Sequence, residues 1–272
     1  MIKLIAIDLD GTLLNSEKQV SEENKQAITA AKAKGVKVML CTGRPLKSVL
    51  PLLEELGLMD EGDYSITLNG GLIQSNHDGE VLSETLLNGT HVKDIYQLSQ
   101  SLDLTLDVVS RGTVYRATPV SNNHPSIYHQ VNKVLAFKEK RIEEFSESDK
   151  VNKMVCTDVN PEYLTQQMKT IPSEYFERYN IVRSGANLFE FVDKTVSKAA
   201  GMAQLGDILN ISPSEMMALG DEENDFSMID YAGIGVAMGN ATDQIKQIAQ
   251  FETKTNDEHG VAYAINKFVL EA

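Results

Sequence analysis

Residues 4–12 read Leu-Ile-Ala-Ile-Asp-Leu-Asp-Gly-Thr. Together with Ile2, the run Leu4, Ile5, Ala6 and Ile7 has the unbroken apolar character of a short parallel strand buried on both faces, and Gly11 and Thr12 close it. Asp8 and Asp10 follow directly. Two apart in extended chain, they present their carboxylates to the same side, where each raises the pKa of the other unless a cation lies between them. A polar strand end capping a turn would carry the same residues. Open α/β sheets bind ligands beyond the carboxyl ends of their strands, so the pair takes its meaning from what else arrives at that edge.

Working outward, Ser21 is placed as an N-cap, with Glu22 and Glu23 in the first turn, Ala27, Ile28, Ala30 and Ala31 on the apolar face and Gly35 as the stop. A second strand, VKVMLCTGRP, ends in Thr42, Gly43 and Arg44. Pro45 opens a helix through LKSVLPLLEELG, with Pro51 expected to kink it. The strand YSITLNGG follows, then a hairpin turning at Asp78-Gly79. Between residues 85 and 188 the order changes to helices mixed with antiparallel strands, including a hairpin at Arg111-Gly112 and a strand VNKMVCTD before a helix at Pro161. From residue 189 the α/β order returns: a helix from Ser197, the strand MMALG, a short helix DFSMIDYA, the strand GIGVAM, a helix after Asn240 and a last one from Gly260. The expectation is an α/β protein with one discontinuous parallel-sheet domain, 1–84 with 189–272, interrupted by an α+β insert, 85–188.

Composition excludes several function classes. The formal charge of −14, without a basic stripe, disfavours a nucleic-acid partner. The amino terminus lacks a signal-peptide pattern and no apolar run approaches about twenty residues, so the expectation is a cytoplasmic protein with no membrane partner. Cys41 and Cys156 sit in apolar strands and read as buried thiols. His77, His91, His124, His129 and His259 stand singly. No G-x-G-x-x-G follows the first strand, which removes a dinucleotide-binding reading. Oligomeric state is not legible.

The strand MMALG delivers Gly220-Asp221-Glu222-Glu223-Asn224-Asp225 to a strand-to-helix turn. An acidic helix start would need no metal. If this strand lies beside the first, however, Asp221 and Asp225 join Asp8 and Asp10, and a cluster of carboxylates without His or Cys calls for an oxygen-preferring divalent cation, best Mg²⁺. Thr42, with the N–H groups of Gly43 and Arg44, can hold an anion. Lys198 opens a helix, where the macrodipole opposes it and an anion would compensate. Acid pair, hydroxyl, lysine and acid cluster at one sheet edge suit phosphoryl transfer.

At these residues the chain resembles the haloacid dehalogenase (HAD) superfamily of aspartate-nucleophile phosphatases. The four motifs stand in order as Asp8-Leu9-Asp10-Gly11-Thr12, Thr42 in CTGRP, Lys198 in VSKAAGMAQL, and Gly220 to Asp225. The insert, with TLNGG, AGIGVAMGNA and TKTNDEHGVAYAI, is similar to the Cof group, and within it to the YidA-type sugar phosphatases. Ala199 departs from the group's usual Gly after the motif Lys. The resemblance implies a Rossmann-like core with a C2-type cap that selects substrate. It implies a small phosphate ester as substrate and Asp8 as nucleophile, giving an aspartyl phosphate, with Asp10 as general acid and base. It further implies Mg²⁺ on Asp8, the Asp10 carbonyl and Asp221, supported by Asp225. Thr42, the N–H groups of Leu9 and Gly43, Asn224 and Lys198 would hold the phosphoryl oxygens. Arg44 stands between two readings, a substrate contact or a solvated or salt-bridged side chain. Arg183 and Asn187, in RSGANLFEF, stand between a substrate contact and a β-turn. A phosphomutase of the same superfamily remains the rival enzyme, and a regulatory homologue without turnover the rival non-enzyme.

Overall fold

The computed structural model describes residues 1–271. In chain order the elements are β1 (Leu4–Ile7), α1 (Glu22–Ala33), β2 (Lys37–Leu40), α2 (Leu46–Glu55), β3 (Tyr64–Thr67), β4 (Leu72–Ser75), β5 (Val81–Glu84), α3 (Gly89–Ser101), β6 (Leu106–Ser110) and β7 (Thr113–Thr118). There follow α4 (Tyr128–Val131), β8 (Ala136–Arg141), β9 (Lys153–Thr157), α5 (Pro161–Thr170), α6 (Ser173–Arg178), β10 (Tyr179–Gly185) and β11 (Leu188–Asp193). Last come α7 (Lys198–Leu209), β12 (Met216–Gly220), α8 (Phe226–Tyr231), β13 (Ile234–Ala237), α9 (Asp243–Ile248), β14 (Phe251–Glu252) and α10 (Gly260–Ile265).

The chain divides into two compact units, Met1–Glu84 with the stretch from Ser197 onward, and Thr85–Val196. The first carries a parallel sheet in the order β14-β13-β12-β1-β2. All four residues of β1 are fully buried, as a central parallel strand requires. Its register sets Ile7 beside Leu40 on one side and Leu219 on the other, so three strands end level at Asp8, Cys41 and Gly220. Ser21 caps α1 by accepting from Asn24 N at 3.3 Å, and Ala27, Ile28 and Ala31 form its buried face. Pro51 lies inside an uninterrupted α2. YSIT does not join the five-stranded ladder: β3 pairs antiparallel with β4 and is linked to the residue after β2 by an isolated Cys41–Ile66 bridge, while β4 and β5 make the expected hairpin.

The second unit holds a sheet in the order β10-β11-β9-β6-β7-β8, antiparallel except for the β7–β8 pair. Leu106, Val108, Met154, Cys156, Phe189 and Phe191 form its core with Val92 and Ile95 of α3. The return to the first unit comes at Ser197 rather than residue 189. β11 pairs with both β9 and β10 and buries Phe189 and Phe191 in the insert's own core, so a joint at 188/189 would strip a strand of its partners. Both cysteines are unpaired and buried, and burial pushes the Cys41 thiol up to about 12. Among the described residues no helix is long and apolar enough to cross a membrane.

Candidate active site

Because β1 and β12 pair in register, Asp8 and Asp221 leave adjacent strand ends, and Asp8 N donates to Leu219 O at 3.1 Å. Asp8, Asp221 and Asp225, all buried, offer carboxylate oxygens within 4.8 Å of one another. Lys198 reaches them from the first turn of α7, whose N-cap Ser197 accepts from Ala200 N at 3.1 Å. Its Nζ donates to Asp8 Oδ1 and Asp225 Oδ1, each at 2.5 Å, which offsets the unfavourable position of a buried cation at a helix start. Asp225 Oδ2 accepts from the N–H groups of Asp221 and Glu222 at 2.9 and 3.0 Å, so this carboxylate also shapes the loop that carries Asp221.

The electrostatics follow from crowding without water. Burial first, then repulsion from Asp225 and Asp221, raises the Asp8 pKa well above the carboxylate range despite Lys198. Burial also pushes Asp221 up to about 7, opposed by the Thr12 hydroxyl and reinforced by Asp225 and Glu222. Burial would depress the Lys198 ammonium, but Asp225 and Asp8 hold its pKa above the usual lysine range. Three carboxylates against one ammonium leave a formal surplus of negative charge in an all-oxygen donor set, with no His or Cys in it. These residues fit a hard divalent cation.

Around the triad, Thr12 Oγ1 donates to Asp221 Oδ1 at 2.7 Å. Gly11 (φ +84°) lets the chain pass so close that a Cβ there would stand 2.2 Å from Asp221 Oδ2. Leu9 is fully buried between the two aspartates. Thr42 lies buried just past β2, with its N donating to Ile66 O at 2.9 Å. Its Oγ1 accepts from Arg44 N at 3.1 Å, which leaves the hydroxyl proton to donate elsewhere. Gly43 packs where a Cβ would meet the Asn69 amide at 3.0 Å, and Asn224 Nδ2 donates to Asn69 Oδ1 at 3.3 Å.

Asp10 does not join the buried triad through its side chain. Arg44 and Lys18 hold it, and although burial opposes them, their hydrogen bonds and charges keep its carboxyl below the usual range. Arg44 is therefore salt-bridged. Arg183 and Asn187 lie in the second unit and close the β10–β11 turn. Arg183 Nε donates to Gly185 O at 2.8 Å, and Asn187 Nδ2 donates to Asp158 O at 2.7 Å. Thr12, Asn69 and Lys18 received no role from the sequence. Thr12 and Asn69 lie inside DLDGT and TLNGG, whose neighbouring residues are the signal that points to them, whereas Lys18 carries none.

Comparison with known proteins agrees with this fold. YxeH of Bacillus subtilis is 40% identical over 271 residues, covering 99% of each chain. The 5-amino-6-(5-phospho-D-ribitylamino)uracil phosphatase YcsE of the same organism is 33% identical over 269 residues, covering 99% of this chain and 96% of its own. The structure of the HAD subclass IIB sugar phosphatase BT4131 superposes with a TM-score of 0.80 at 26% identity, over 98% of each chain. With the parallel sheet, the inserted antiparallel unit and the acidic edge in place, and with the haloacid dehalogenase-like hydrolase family model matching residues 5–265, the chain belongs to the haloacid dehalogenase-like hydrolases.

Proposed function

We propose that this hydrolase is a Mg²⁺-dependent phosphatase of small phosphate monoesters, with sugar phosphates as its substrate class. The carrying observation is the Asp8 carboxylate, buried and oriented by Lys198 beside Asp221 and Asp225. The phosphatase names of YcsE and BT4131 support the reaction class, and their ribityl and sugar phosphates support the substrate class.

Asp8 would attack phosphorus to form an aspartyl phosphate, dividing one displacement into two easier ones. Lys198 holds Asp8 Oδ1, and the other carboxylate oxygen would make the attack. Asp10 would protonate the departing alkoxide and then take the proton of the attacking water, a role typically worth ~10²–10⁴-fold. Thr42, the N–H groups of Leu9 and Gly43, Asn224 and Lys198 would hold the phosphoryl oxygens. Asp8, Asp221 and the Asp10 carbonyl, backed by Asp225, would hold Mg²⁺, which when bound neutralises charge on the transferring group.

The test is phosphate release from a panel of hexose, pentose, ribityl and nucleoside phosphates with and without Mg²⁺. Full turnover in chelator removes the metal. An isomeric sugar phosphate appearing in place of free phosphate would identify a mutase instead.

A further inference from the structure

The side chain of Asp10 is 47% exposed and lies in the fork of Arg44, whose Nε donates to Oδ2 at 3.0 Å and Nη2 to Oδ1 at 2.7 Å. Lys18 Nζ adds a third bond, to Oδ1 at 3.0 Å. A fork fixes the plane of a carboxylate, whereas a single contact leaves it free to turn. Arg44 is itself anchored at its main chain. Its N donates to Thr42 Oγ1 at 3.1 Å, and its O accepts from Leu68 N at 3.3 Å. Lys18 reaches back from a left-handed position (φ +61°), in a turn where Asn15 Oδ1 accepts from the N–H groups of Glu17 and Gln19. Two cations gathered on one half-exposed carboxylate add little to folding stability, because solvent screens such pairs. Their geometry is better explained by the aim of the group they hold.

We propose that Arg44, assisted by Lys18, is a positioning residue that aims the Asp10 carboxyl at the leaving-group oxygen; this rests on the phosphatase reading above. In the first half-reaction the Asp8 oxygen–phosphorus bond forms as the phosphorus–ester oxygen bond breaks. The ester oxygen keeps the electron pair and takes the proton from Asp10. In the second, the water oxygen bonds to phosphorus, the bond to Asp8 breaks, and the proton of water returns to Asp10. The carboxylate present between the two steps is the form that the guanidinium fork matches.

A misaimed acid matters in proportion to the basicity of the leaving oxygen. The experiment measures kcat/KM with Mg²⁺ for a series of aryl and simple alkyl phosphates of rising leaving-group pKa. It compares the wild type with Arg44→Gln, Asp10→Asn and the double variant. Arg44→Gln is expected to steepen the dependence toward that of Asp10→Asn, the alkyl esters losing at least about tenfold more than p-nitrophenyl phosphate. Added to Asp10→Asn, it should leave the slope unchanged. Arg44→Lys keeps the charge without the fork and should follow Arg44→Gln, and it carries the test if the glutamine variant does not fold. Equal fractional losses across the series overturn the proposal, as does a rise in KM confined to sugar phosphates, which would make Arg44 a substrate contact. A wild type that releases no phosphate from any ester overturns the phosphatase reading and this one together. If only the Asp10→Asn slope equals that of the wild type, phosphatase activity stands and the aimed acid falls.

Discussion

Asp8 is a carboxylate placed where ionisation is costly, which makes its replacement informative. Asp8→Asn keeps the shape and removes the proposed nucleophile, so phosphate release should fall by about three orders of magnitude or more. The thermal midpoint of the metal-free variant should be no lower than that of the wild type, since one of three crowded carboxylates is gone. Retained turnover of a good ester would make water the attacking group. Asp221 gives a pH signature. Its folded pKa of about 7 exceeds the ordinary 3.8, so its protonation favours the folded state fully below about pH 4, and this contribution is lost as pH rises through about 7. Groups with lowered values, such as Asp10, act in the opposite sense, but only below about pH 4. In chelator the Tm should therefore fall between about pH 5 and about pH 7, and Mg²⁺, which takes ionised carboxylates, should flatten or reverse the trend. A Tm that rises with pH in chelator would contradict the assignment.

At the scale of elements, the site depends on how α7 is seated, because that helix delivers Lys198. Its start is pressed against the TLNGG loop. Gly70 has φ +101°, and a Cβ there would stand 2.0 Å from Ser197 O, while a Cβ on Gly201 would stand 2.7 Å from Ile66 Cγ2. Gly70→Ala must therefore move the backbone at the base of Lys198, and it should cost about 3 kcal/mol or more and lower kcat. Gly79 is the control. It also has a left-handed φ (+77°) but nothing within 4 Å of its Cβ position, so Gly79→Ala should cost only about 1 kcal/mol of backbone strain and leave kcat intact. Equal effects of the two variants, by denaturant melts and phosphate release, would mean that the seating of α7 does not govern the site.

At the scale of the whole molecule, the two units have separate apolar cores, and every residue of the acidic edge belongs to the first. Replacing 85–196 by a short Gly/Ser bridge should leave the proposed Mg²⁺ binding and p-nitrophenyl phosphate hydrolysis in place, while kcat/KM for a sugar phosphate falls by about two orders of magnitude. An unchanged ratio of the two would locate selectivity in the first unit. Much of that unit was legible beforehand because its signals are local. An unbroken apolar run makes a buried strand, Ser21 before Glu22 and Glu23 starts a helix, and Lys198 at a helix start demands an anion whatever the fold. The return point of the chain was not legible, since LFEFV reads equally well as a strand of either unit until β9 and β10 claim it. Nor were Thr12 on Asp221, 209 residues apart, or Arg44 and Lys18 on Asp10. Periodicity and capping act within a few residues, so the order of amino acids is enough to specify which segments become strands and helices and which residue types crowd their ends. Which carboxylates are buried together and which is held by exposed cations emerges in the folded chain alone, because burial and partnership depend on strand neighbours and register, set by packing between distant segments.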